Sequence, residues 1–355
     1  MSLKHQLKTA LRHAYARLLY HSGLHALVNR VMPPRLTILG GHCVGDPADS
    51  THLPADMHVS PQKLARILDW FGQRYELCTV GDGLRALRNG QKKSLLALSF
   101  DDGYRDNHRV LLPLLKEKHA TATVFLESRP LDNRRVNWSH KYFWILARMP
   151  AQQLVRRYSE LSSDRTLCAA AEAALDEPER ADYKVKRLLK YDADFADRER
   201  VLDQIFAELG GDEQALCDEL YMTWDEAREL AAAGVELGGH TVTHPILARL
   251  DRATAEREVG EGAAALRRGL GEARVTTFAY PWGRRWDFDA DSQRAVRLAG
   301  FDAAVTMHPG VNVASSDPYT CARVAIDDTC ELHMLVAEAC GGFELLRRLG
   351  LNLSE

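Results

Sequence analysis

The stretch Leu95-Leu96-Ala97-Leu98-Ser99-Phe100-Asp101-Asp102-Gly103-Tyr104 runs from a compact apolar segment straight into two carboxylates and a glycine. Six residues of that composition read as a buried β-strand. Side chains alternate between the two faces of a strand, so adjacent acids at its end point to opposite sides. Asp101 and Asp102 are therefore placed for different work, one on a metal ion and one on a proton. Read alone, Asp-Asp-Gly after a strand is an ordinary turn, so the functional reading depends on what the rest of the chain supplies.

Two further segments repeat the arrangement. Val235–Leu237 reads as a short strand after a helix at Trp224–Ala233, and it leads into Gly238-Gly239-His240-Thr241-Val242-Thr243-His244-Pro245. The spacing of His240 and His244 predicts two rings on one face of a helical turn, a frequent metal-ligand geometry. The two glycines allow close backbone approach. Val275–Tyr280 reads as a strand that ends in Pro281-Trp282-Gly283. That turn offers a backbone N–H to a developing oxyanion and an aromatic wall to a sugar ring. An α/β barrel builds its site from loops of this kind, gathered at the C-terminal ends of its strands. Two histidines and one carboxylate leave open positions on a metal, which suits hydrolytic Zn²⁺ and equally a non-haem Fe(II) site.

Between these segments strand and helix alternate, which argues for a parallel sheet or barrel. Leu36–Leu39, Thr121–Leu126, Ala303–Met307 and Arg323–Ile326 read as strands. Pro61–Tyr75, Val110–Lys118 and Ser292–Leu298 read as helices. From about 141 to 220 no strand is legible, and the Ala-, Leu- and Arg-rich pattern predicts a helical insertion at one rim. The first 45 residues contain no acidic residue but include Lys4, Lys8, Arg12, Arg17, Arg30 and Arg35. Leu3, Leu7, Leu11, Ala14 and Leu18 have helical spacing, and Pro33-Pro34 closes the segment. Residues 1–35 are thus expected to be a basic amphipathic helical segment ahead of a barrel over 36–355, with residues 1–30 in contact with an anionic membrane. Basic residues and histidines interrupt every candidate signal-peptide core, and no apolar run approaches the length of a membrane span. The expected location is cytoplasmic, at most peripheral to the membrane.

The chain has 355 residues, 46% hydrophobic and 27% charged, with 46 Lys and Arg against 49 Asp and Glu. That composition excludes a disordered or collagenous chain, and the balance of charge gives no footprint for nucleic acid. Seven scattered cysteines without a C-x-x-C pair predict reduced, mostly buried thiols.

In this order, Ser99-Phe100-Asp101-Asp102-Gly103, His240-Thr241-Val242-Thr243-His244 and Tyr280-Pro281-Trp282-Gly283 resemble the polysaccharide deacetylases, carbohydrate esterase family 4, with the NodB-homology domain. The resemblance covers roughly Leu36 to Ile326 apart from the insertion. It implies a distorted (β/α)7 barrel and hydrolysis of the N-acetyl group of an amino sugar, on a polysaccharide or a lipid-linked glycan in exopolysaccharide, capsule or lipopolysaccharide biosynthesis. By position, Asp102, His240 and His244 match the metal ligands, usually for Zn²⁺, and Asp101 matches the general base. Trp282 matches the oxyanion N–H donor, and Tyr280, Pro281, Trp282 and Tyr104 are the implied substrate contacts. Typical members carry an arginine where this chain has Ala279; Arg323 resembles an arginine of the branch with this turn and is expected to replace it. The leaving-group acid has no clear match. His308 and His333 are candidates, and His42 is a candidate for the site rim. Competing readings are a catalytically impaired carbohydrate-binding protein, motivated by Ala279, a deformylase, which formate release separates, and an Fe(II) oxygenase.

Overall fold

The computed structural model describes residues 3–49, 52–271 and 273–351; the outermost residues of both expected segments, 1–2 and 352–355, lie outside it. Among the described residues ten strands form: β1 (Leu36–Gly41), β2 (Cys43–Val44), β3 (His58–Val59), β4 (Glu76–Cys78), β5 (Leu95–Phe100), β6 (Thr123–Leu126), β7 (Glu236–Gly239), β8 (Thr277–Ala279), β9 (Ala303–Val305) and β10 (Val324–Ala325). The main sheet has the order β10-β1-β5-β6-β7-β8-β9, with β4 paired to the first half of β5. Every pairing is parallel. Cys321 bridges Val305 of β9 and, three residues on, β10 pairs with β1, so this segment joins the two ends of the order. The result is the distorted (β/α)7 barrel. β2 and β3 pair separately beside it, and with β4 they are the strands that the sequence pattern does not announce.

β5 is buried along its whole length. Leu96, Leu98 and Phe100 enter the large core shared with the outer helices. Leu95 and Ala97 join Ile38, Phe125, Ala279 and Val305 inside the ring. The period of two thus sends Asp101 toward the interior and leaves Asp102 to the loop. Registers Gly41↔Phe100, Phe100↔Val124, Leu126↔Gly239 and Gly239↔Phe278 bring the strand ends level, so the loops after β1, β5, β7 and β8 open on one face.

Between β6 and β7 the insertion contains six longer helices, Trp138–Leu146, Ala151–Leu161, Arg165–Ala174, Ala181–Tyr191, Phe195–Glu208 and Glu213–Leu220, and among the described residues no strand. Its own core gathers Trp138, Tyr142, Ile145, Val155, Leu189 and Ile205, and Trp282 of the barrel packs against it. The buried Lys141 is neutralised by Asp203 and, at 2.8 Å, by Glu213.

At the N-terminus, helices Leu3–Ser22 and Leu24–Val31 are separated by Gly23, whose φ of 77° only glycine adopts freely. Ala16, Leu19, Val28 and Met32 pack on Ala337, Cys340 and Phe343. Arg35 is buried rather than part of a basic surface. It donates to the carbonyls of Pro33, Ala339 and Cys340 and so caps the end of the helix Leu332–Ala339. All seven cysteines are unpaired, five of them buried.

Candidate active site

The loops after β5 and β7 bring Asp102, His240 and His244 together, each buried, with their ligand atoms within 4.8 Å of one another. Asp102 Oδ1 lies 3.2 Å from His240 Nε2 and 3.4 Å from His244 Nε2, yet no hydrogen bond satisfies it. His240 Nδ1 lies 2.7 Å from the Ala279 carbonyl, which fixes the N–H there and leaves the Nε2 lone pair facing the cluster. Burial disfavours a charged His240, but its contact with Asp102 and the charges of Asp101 and Asp102 outweigh that and raise its pKa. Burial lowers His244 to about 3 and keeps it neutral. Burial would raise Asp102, but His240 and His244 hold it well below the ordinary carboxylate range. A carboxylate and two imidazole nitrogens converging on a point that favours positive charge make a donor set suited to a divalent cation with one open side.

This geometry corrects the expectation of a helical turn. No helix spans His240 to His244; the residues form an irregular loop. Thr241 (φ 67°) and His244 (φ 57°) are left-handed, and the chain folds back so that the two rings sit 4.9 Å apart. Asp102 (φ 72°) and Trp282 (φ 62°) share that backbone region. Four of the six described non-glycine residues with positive φ therefore cluster here, where strain is held by the surroundings. Glu258 supplies part of that hold: its carboxylate accepts from the N–H groups of Val242 and Thr243, each at 3.0 Å, and from the Thr243 hydroxyl at 2.7 Å.

Asp101 is clamped from the ring interior. Arg323 donates to both of its oxygens, at 2.7 and 2.8 Å, and to the Thr306 carbonyl at 2.8 Å. Burial pushes Asp101 upward, but the guanidinium outweighs it and keeps the carboxylate ionised. Arg323 approaches so closely over Gly40 that a Cβ there would lie 3.3 Å from its Cδ.

Behind the cluster runs a buried polar chain. His140 bonds Tyr104 on one nitrogen and Tyr221 on the other, and burial drives its pKa down to about 3. Asn137 links Tyr221 to Glu127, a carboxyl that burial raises to about 8.

A cavity of about 380 Å³ covers Asp101, Asp102, His240 and His244. Its walls include His42 after β1, Trp282, Arg284 and Met307 from the barrel, and Ser139, Phe143 and Lys186 from the insertion. The Trp282 N–H has no hydrogen-bond partner among the described residues. Its ring lies 5.3 Å from His244.

Several sequence expectations are corrected. Tyr280 does not reach the cavity, because the strand period puts it on the outward face with Phe278, where it stacks 4.3 Å from Phe288 and donates to the Tyr319 carbonyl. Pro281 is buried beneath the turn and Tyr104 behind Asp102; neither lines the cavity. His333 lies 3.4 Å from His13 and 3.1 Å from Glu331, held by the N-terminal helix instead of facing the site. His308 turns toward Phe288, 5.7 Å away, and is not part of the cavity wall. Lys186, Phe143 and Ser139 went unread because they look like ordinary helix positions in a segment with no motif; only packing brings them to the barrel.

The family model described as polysaccharide deacetylase matches residues 88–160 and 195–304, just over half of the chain. This chain belongs to the polysaccharide deacetylase family. The deacetylase is a hydrolase, and a search of curated proteins finds no match. Its fold is similar to that of the Streptococcus pyogenes deacetylase PplD, solved in complex with acetate, at TM-score 0.56 and 17% identity over 87% of this chain and 99% of that one. IcaB from Ammonifex degensii matches at TM-score 0.54 and 17% identity, covering 86% of this chain and 97% of its own. A de-N-acetylase from Aggregatibacter actinomycetemcomitans matches at 0.53 and 16%, covering 85% and 98%. Residues 161–194, which separate the two matched segments, hold the helix Ala181–Tyr191 that carries Lys186.

Proposed function

We propose that this deacetylase is a divalent-metal-dependent enzyme that removes N-acetyl groups from amino sugars of a polysaccharide or lipid-linked glycan made for the cell surface. One observation carries the reading: a buried Asp102–His240–His244 donor set shares a cavity with a carboxylate, Asp101, clamped by Arg323. A divalent ion on those three side chains, Zn²⁺ by the mix of nitrogen and oxygen donors, would polarise the acetamide carbonyl and lower the pKa of a bound water. Asp101, kept ionised by Arg323, takes a proton from the attacking water. The Trp282 N–H donates to the oxyanion that develops on the acetyl carbon's oxygen. His42 is the one imidazole among the described cavity residues outside the Asp102 cluster, and it gives the departing amine its proton as the C–N bond breaks. The acetyl carbon leaves as acetate.

In this reading Arg323, just ahead of β10, takes the place of the arginine that typical members carry at Ala279, since it grips both oxygens of Asp101. The test is metal content and acetate release side by side. Wild type is expected to hold one divalent ion per chain and to release acetate from an N-acetylated glycan, and His240→Ala to lose both. No bound metal after reconstitution would overturn the reading, and formate as the sole product would make the enzyme a deformylase.

The same reading extends to location. No described helix is long and apolar enough to cross a membrane. The outer side of the N-terminal helices nevertheless exposes Leu7 (61%), Leu11 (51%) and Leu18 (58%), continued by Leu24, Leu27 and Val31, with Arg17 and Arg30 exposed beside them. An apolar stripe edged by cations fits the surface of an anionic bilayer, with the leucines among the acyl chains and the cations at the headgroups. Co-sedimentation with phosphatidylglycerol vesicles at low salt tests it, and protein that stays in the supernatant would remove the membrane from the proposal.

A further inference from the structure

The catalytic cavity continues into a second one of about 450 Å³; Lys186, Trp282, Arg284 and Asp56 line both. Five cations face the second cavity, Lys186, Arg187, Lys190, Arg249 and Arg284, against two carboxylates, Asp56 and Asp192. Three of the cations come from the helix Ala181–Tyr191 of the insertion and two from barrel loops, so the excess of positive charge is assembled by the tertiary fold.

Among the described residues Lys186, Arg187, Arg249 and Arg284 make no ion pair. Lys190 has one, to Asp287 at 3.5 Å, but that carboxylate is already engaged by the Tyr191 hydroxyl and the Arg284 N–H. The two lysines are packed on aromatic faces instead. The Lys190 ammonium lies 3.9 Å above the Trp282 ring, and Lys186 lies 4.1 Å from the Phe143 ring and 5.2 Å from Trp282. Burial lowers Lys186 to about 8 and Lys190 to about 7, outweighing the pull of Asp56 on the first and of Asp287 on the second, with Arg284 adding some repulsion. An anion entering between them would relieve both costs. Trp286, 60% exposed, stands at the mouth with its indole N–H on the Tyr191 hydroxyl, and offers a flat face to a sugar ring.

We propose that this second cavity is a subsite for an oxyanion of the glycan, a phosphate or a carboxylate carried next to the amino sugar being deacetylated. The glycan substrate is therefore anionic, and the insertion is the element that selects it. The inference takes its glycan from the deacetylase reading, but recognition of the charge is separable from turnover.

The experiment measures binding to the full-length protein by calorimetry, with acetate release recorded in parallel. Chitotetraose is the neutral probe and a hyaluronan tetrasaccharide the carboxylate probe. N-acetylglucosamine 1-phosphate against N-acetylglucosamine isolates phosphate. At least one anionic probe is expected to bind about tenfold or more tighter than its neutral counterpart. The advantage should shrink as salt rises from about 50 to about 500 mM, as screened charges require. Lys186→Met should reduce the ratio of affinities toward one. The double variant Arg187→Gln/Arg249→Gln should do the same, and because both arginines are exposed and unpaired it keeps the test valid if the lysine variant fails to fold. Which probe gains tells phosphate from carboxylate. Equal affinity for anionic and neutral probes, or an advantage that survives both variants, overturns the subsite. An anionic preference without acetate release leaves the subsite standing and sinks the deacetylase reading; acetate release without any preference does the reverse.

Discussion

Two neighbouring carboxylates, Asp101 and Asp102, have opposite surroundings. One is gripped by a guanidinium and the other faces two imidazoles. On the proposed mechanism, Asp101→Asn retains its metal and lowers kcat by about 10²–10⁴-fold, the span of general base catalysis; unchanged turnover would take the role from Asp101. Arg323→Lys keeps the charge but not the two-pronged grip, so kcat should fall about tenfold or more while metal content stays at the wild-type level. Elemental analysis beside a rate assay checks both variants. Glu127 gives a pH prediction. Its folded pKa, about 8, lies above that of an ordinary carboxyl. The folded state therefore binds more protons than the unfolded one between these values, and this group's contribution to stability is full at low pH and is lost as pH rises toward 8. Glu127→Gln removes the effect. In metal-free protein the unfolding free energy of the variant minus that of wild type, read from denaturant melts, should increase from pH 5.5 to pH 8 by about 3 kcal/mol at most. A gap that does not change with pH would show that the Glu127 carboxyl titrates normally.

Among the elements, β7 is closely hemmed in by its neighbours. A Cβ on Gly238 would sit 2.5 Å from the Phe125 ring and 2.7 Å from the Thr277 carbonyl oxygen, backbone that cannot move without shifting β8. Gly238→Ala is expected to cost about 2–4 kcal/mol, read by denaturant unfolding. The outer stripe of the first helix makes a separate prediction. Leu7→Glu/Leu11→Glu should abolish vesicle binding and leave the melting temperature near wild type, because neither leucine contributes to the cluster formed by Ala16, Leu19 and Phe343. Helical periodicity made this helix legible in the sequence. It did not show which apolar positions would be buried and which left outside, since Leu7 and Leu19 look alike until the helix Leu332–Ala339 packs against one of them. The histidine pair failed in the opposite way. A spacing of four suggests a helix, but Thr241 and His244 take left-handed backbone that no propensity announces, and Glu258, on the following helix Arg252–Leu270, holds it.

In the whole molecule, the barrel and the insertion make the site jointly, and a bound ion would tie loops after β5 and β7 together. Adding a divalent ion in excess should raise the stability of wild type by about 4 kcal/mol at a thousandfold over its Kd. Chelation should reverse this, and His240→Ala should respond to neither; thermal melts with and without chelator decide it. By itself the sequence determined the strands that carry Asp101–Asp102, His240–His244 and Trp282, because a run of buried apolar residues ending in a polar turn is a local signal; the pattern left a parallel sheet or a barrel open, and the barrel was named by resemblance. It also named Arg323, though by resemblance and not by pattern. Only the tertiary structure decided that Arg323 meets Asp101 across 222 positions of chain. It alone sent Tyr280 and Tyr104 into the core, carried His333 to the N-terminal helix, and set Lys186 and Lys190 beside the cavity. The physical reason is common to all of these: a pattern within one segment tells which face is apolar, whereas the partner of a charge or a ring is fixed by how separate segments pack, and no single segment encodes that.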